Sequence, residues 1–255
     1  MRIKIALRNL YISQALILFF LFYAYLTWYP YSFSQLGGFK KTAATLLLVD
    51  LVLGPLLVFI IFKEGKKYLK FDINVLLLIQ IIAFIYGAYA LFLQHPAYVV
   101  FHKNQFKLIN VSHLYPSQPW FKQLKTSFFS SPKLVITQFP NNTTEQLQLA
   151  LDIDINGKPD IERRPELFKP IENHLNDILT RSISLDVLSL STDIKQIQAL
   201  INKNGGTIND YAFFPLSGNN KRQFIWALNR NTGKPVGIID FNSQFTKSLA
   251  QTQSD

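Results

Sequence analysis

The chain has no cysteine and a single methionine among its 255 residues. Without thiols there are no disulfides, no thiolate nucleophile, no c-type haem attachment and no Cys-based zinc site, so an exported part has to hold its fold by core packing alone. Histidine is scarce too. His95, His102, His113 and His174 show no metal-ligand spacing, and His95 and His102, which flank a β-rich segment, read as surface residues. The patterns G-x-S-x-G, G-x-G-x-x-G, H-E-x-x-H and the P-loop are all missing, which leaves no conventional enzyme signature. Charged residues make up only 16% of the chain.

What the chain has instead is apolar surface: 49% hydrophobic residues, including 22 Phe and 11 Tyr. These cluster. Leu10 to Trp28 and Ile73 to Leu93 carry no charge, and Thr42 to Phe62 carries only Asp50. Runs of about 20 apolar residues match the ~30 Å hydrocarbon thickness of a bilayer. The expectation is three N-terminal transmembrane helices (about 10–29, 42–62 and 73–93) in a membrane anchor of residues 1–93. The first run is too long for a signal-peptide h-region and reads as a retained anchor, with Trp28, Tyr29 and Tyr31 in an interfacial aromatic belt.

The net charge of +10 points to topology rather than to nucleic acid. Nine of the Lys and Arg residues lie in 1–93 against three acids, and seven of the nine fall in two places: Arg2, Lys4 and Arg8, then Lys63, Lys66, Lys67 and Lys70. The positive-inside rule puts both segments in the cytoplasm and residues 94–255 on the opposite side. That part holds 17 basic and 13 acidic residues, spread along the chain.

Residues 94–255 read as a soluble α+β domain. Segments 94–104 and 105–113 alternate as two strands, and "PKLVITQFP" is a third, bracketed by prolines. "NNTTEQLQLAL" looks helical behind an Asn or Thr cap, a further helix begins near Pro170, and "STDIKQIQALINKN" repeats Ile194, Ile197, Leu200 and Ile201 before stopping at Gly205-Gly206. "INDYAFFPL", "RQFIWALNR" and "PVGIIDF" form a C-terminal antiparallel meander around two polar turns.

Two features carry possible chemistry. "DIDINGKPD" offers Asp152, Asp154, Asn156 and Asp160 at calcium-loop spacing, yet Arg163 stands where the bidentate Glu belongs; the alternative is a strand end turning at Asn156-Gly157. The other is Asp50. An ionised Asp at a membrane-helix centre costs ~2.5–3.5 kcal/mol on insertion scales, so it is paired, protonated or functional. It would lie ~18 Å in from Phe62 at a helical rise per residue, level with Tyr86, Tyr23 and Tyr25, with Gln80 nearer the cytoplasm. Pro55 frees a carbonyl near Leu51 and Gly54 permits close helix approach. Asp50, Gly54, Pro55, Gln80 and Tyr86 therefore form a polar site, either an internal lock between helices or a handle for another membrane helix.

A chain of short features runs in order through this region: Tyr29-Pro30, Gly37-Gly38, "VDLVLGPLL", Phe62-Lys63, Asp72, Gln80, "YGAY" (Tyr86–Tyr89), Pro96 and "YVVF" (Tyr98–Phe101), with "GKPDI" and Pro165 later. At these residues the sequence resembles the type IV pilin accessory proteins, the TfpX/TfpZ family of Gram-negative bacteria. The resemblance is dense over about residues 27–102. It implies a bacterial inner-membrane protein with a periplasmic domain that helps a cognate major pilin become stable or assemble, with membrane lipids as neighbours and with no catalytic residue, cofactor or nucleic acid. The alternative is a membrane-anchored enzyme acting on a lipid or glycan at the periplasmic face through Asp50 or the Asp152–Asp160 segment.

Overall fold

The alternating apolar residues after Gln94 build one seven-stranded mixed sheet of order β4-β3-β1-β2-β5-β6-β7. The computed structural model describes residues 2–36, 38–61, 69–114, 129–192, 194–218 and 223–240. Three long helices come first: α1 (Arg2–Trp28), α2 (Phe39–Ile61) and α3 (Leu69–Gln94), with a 3₁₀ helix, Pro30–Gln35, between α1 and α2. Strands β1 (Pro96–His102) and β2 (Gln105–Asn110) form an antiparallel hairpin whose tight turn places Lys103 and Asn104 in the left-handed region. β3 (Lys133–Thr137) joins β1 in parallel, and β4 (Phe168–Pro170) closes that edge. α4 (Thr143–Asp154), α5 (Leu175–Thr180), α6 (Leu185–Ser191) and α7 (Ile194–Asn204) follow. The C-terminal meander forms as read, from β5 (Tyr211–Ser217), β6 (Gln223–Asn229) and β7 (Pro235–Asp240), with β5 set parallel to β2.

Strand side chains alternate between faces, and in β5 and β6 both faces are buried. Phe214, Leu216, Phe224 and Trp226 enter the main core, while Phe213, Ile225 and Ala227 pack with Leu188, Ile197 and Leu200 of α6 and α7. α7 is the helix expected from its Ile and Leu spacing, and its buried stripe covers this second face.

The three-span anchor does not stand. Among the described residues one segment is long and apolar enough to cross a membrane, Leu77–Gln94; the apolar part of α1 is the shorter Ser13–Trp28, and α2 contributes none. The physical reason lies in what covers the first run. Ile17, Leu21, Ala24 and Trp28 recur at helical spacing on one face of α1 and are buried in the same core as the sheet. Trp28 and Tyr29, expected at a membrane interface, are 0% and 2% exposed and pack beside Phe33 and Leu36 of the 3₁₀ helix. An uncharged run is equally suited to lipid or to a protein interior, and composition does not distinguish them. The end of the expected second span, Phe62, and the basic Lys63–Lys67 segment lie outside the described residues.

Two further expectations change. Residues 152–154 are the last turn of α4, not a strand end, because Asn142 caps the helix by accepting a hydrogen bond from the Thr144 amide and Leu149 anchors it. His95 is not on the surface at all but fully buried.

Candidate functional site

α3 passes into β1 through a single residue, His95. Its ring stacks on Trp28 at 4.9 Å and lies 4.8 Å from Phe92. His95 Nδ1 pairs with the Phe92 carbonyl, and the His95 carbonyl accepts from the Val111 amide at 3.1 Å. Burial among these rings pushes the imidazole down to about 4, so it is neutral near pH 7. The Thr42 hydroxyl donates to Gln94 Oε1 at 2.6 Å, and the Tyr29 hydroxyl to the Gln94 carbonyl at 3.4 Å. Helix α3 is thus tied to α1, α2 and the sheet just where it ends.

Above this junction α3 is open. Its Leu77–Gln94 segment is only 11% buried, and Leu78, Ile82, Ile85, Tyr86 and Tyr89 are all exposed. α2 approaches its other side closely at Gly87, where a Cβ would stand 2.3 Å from Leu46 Cδ1. A close crossing of α2 and α3 is made at Gly87, a residue not singled out from the sequence, while the surroundings of Gly54 lie outside the described side chains. The backbones of Asp50, Gly54 and Pro55 lie on α2, while their side chains fall outside the described ones. Gln80 is half-buried on α3, and its Nε2 meets no acceptor among the described residues. Tyr86, 72% exposed, points to the outer surface rather than into the helix group. Tyr23 packs edge-on to Trp28 and Phe129.

The four residues at calcium-loop spacing are not brought together around a common point. The Asp152 carboxylate receives Lys158 Nζ at 2.8 Å and Asn156 Nδ2 at 3.1 Å, and lies 3.8 Å from Arg164; the Lys158 and Asn156 hydrogen bonds hold it below the usual carboxylate range. Among the described residues no group of three or more His, Asp or Glu side chains is placed to hold a metal ion. A cavity of about 480 Å³ does open nearby, between α4, the β1–β2 turn and residues 160–162. His102 lines it, bonded to Thr137 Oγ1 at 2.8 Å, and its own burial lowers its pKa.

The chain is similar to two fimbrial assembly proteins of Dichelobacter nodosus over most of its length. The protein of serogroup I is 25% identical over 217 residues, covering 81% of this chain and 82% of the relative, and that of serogroup E1 is 24% identical over 217 residues with the same coverage. A third, of serogroups C1 and C2, is 31% identical over 88 residues, which are 34% of this chain and 67% of the relative. The chain belongs to the fimbrial assembly proteins. No family model and no solved structure matches it. In this fimbrial assembly protein the described geometry contains a packed junction and an open apolar helix, and these are the features on which a function has to be built.

Proposed function

We propose that this chain is a membrane-associated accessory protein of type IV fimbriae, which supports the stability or assembly of a cognate major pilin from the bacterial inner membrane. The observation that carries the proposal is α3. Its exposed Leu, Ile and Tyr side chains run into a sheet with one buried residue as the joint. Apolar area left in water costs about 25 cal/mol per Å², so a row of such side chains calls for lipid or another apolar helix. A pilin subunit awaiting assembly has both parts this arrangement suits, an apolar helix and a globular head beyond it. The basic residues Lys63, Lys66 and Lys67 precede α3 and Lys70 stands in its first turn, which by the positive-inside rule favours a periplasmic position for the sheet.

Deletion of the gene in the native host tests this reading. Surface fimbriae should be lost or sharply reduced and restored by the full chain supplied in trans. Normal fimbriation in the deletion strain would refute it.

A further inference from the structure

We infer that the cleft between α4 and the β1–β2 turn receives a lysine- or arginine-bearing segment of a protein partner. Its floor is apolar, formed by Leu149, Ile153 and Ile161, and Phe139 stands exposed at the rim. Asp154, Asp160 and Glu162 supply carboxylates around it. An aliphatic stem on an apolar floor, an aromatic face within reach and carboxylates at the far end are what a Lys or Arg side chain matches.

The charge is local. The chain as a whole is +10, yet five of its sixteen acids fall between Asp152 and Glu166. Lys158 and Lys107 pair with Asp152 and Glu162. Asp154 and Asp160 are exposed and have no ion-pair partner among the described residues. Lys103, on the hairpin turn, is the one Lys or Arg of the lining and opposes an incoming cation. Burial lowers the His102 pKa, so its ring opposes an incoming cation less than a free imidazole would.

Position fits the function proposed above. β1 continues directly from α3, and its seven residues set the β1–β2 turn, which borders the cleft, about 20 Å along the strand from the helix end. A partner with its apolar helix beside α3 would hold its head at this height. The partner's place in fimbrial assembly rests on the proposed function; the preference for a cation does not.

The test uses the full chain in a non-ionic detergent and a fluorescein-labelled trilysine peptide, followed by anisotropy at low ionic strength, with triglutamate as control. A basic protein repels trilysine in general, so binding reports a local acidic site. Trilysine should bind in preference to triglutamate. The double variant Asp154→Asn/Asp160→Asn should weaken it by about fivefold to tenfold, as expected for two partly exposed ion pairs, and Lys103→Gln should tighten it. Equal binding to the wild type and the double variant, or preference for triglutamate, would overturn the inference.

Co-purification of the major fimbrial subunit from host membranes is measured alongside. A subunit that co-purifies while trilysine does not bind removes the cleft and leaves the accessory function standing. Trilysine binding that depends on Asp154 and Asp160, with fimbriation normal in the deletion strain, keeps the cleft and removes that function.

Discussion

His95 concentrates the energetics of the junction in one side chain. In the folded protein it is fully buried against Trp28 and Phe92 and takes up its proton only at about pH 4, whereas an unfolded chain takes it up at the ordinary value of 6.5. Above pH 6.5 both states are neutral and the packing contributes in full. Between 6.5 and 4 the unfolded state binds the extra proton, so stability falls as pH falls. The difference corresponds to about 3 kcal/mol as an upper figure. Denaturant unfolding followed by tryptophan fluorescence at neutral pH and near pH 4 should show this loss in the wild type. His95→Phe, which keeps a ring in the stack, should flatten it; an unchanged slope would place the acid sensitivity elsewhere.

The element that joins helices to sheet is the short 3₁₀ helix Pro30–Gln35. Phe33 is fully buried and meets Trp226 of β6 at 5.6 Å, Trp226 meets Phe106 of β2 at 4.8 Å, and Leu36 sits against Gly218, where a Cβ would stand 2.8 Å from Leu36 Cβ. Phe33→Ala should cost about 3–5 kcal/mol, the range for deleting a buried aromatic, and loosen α1 from the sheet. Hydrogen exchange should then rise in α1 and β6 together; exchange confined to the 3₁₀ helix would mean the two layers are joined elsewhere.

Six of the seven described strands and α7 were legible in the sequence because their signals are local: period-two alternation, polar turns, and Ile and Leu at helical spacing ahead of Gly205-Gly206; the three-residue β4, Phe168–Pro170, is too short to show an alternation. The end of α4 was not. "LDIDI" alternates like a strand, and only the Asn142 cap and buried Leu149 settle it as helix. The fate of the first apolar run and of His95 was illegible for a different reason. Both depend on contacts between segments far apart in the chain, Trp28 with His95 and Phe33 with Trp226, which no window of sequence contains. Of the candidate site, Gly87 lay unremarked inside "YGAY"; its meaning comes from Leu46 on another helix.

At the scale of the whole molecule, the sheet and the helical layer share one core, and α3 leaves that core with its apolar face uncovered. Such an arrangement transmits position: whatever lies along α3 is held at a fixed height and angle relative to the sheet and its cleft. The central claim is that the major fimbrial subunit lies there. Its most direct test is a photo-reactive amino acid in place of Ile82, exposed on α3, in the full chain expressed in native host membranes that still make fimbriae. Illumination should give an adduct whose second component is the major fimbrial subunit. Adducts confined to lipid or to a second copy of the chain, with the subunit abundant in the same membranes, would contradict the account.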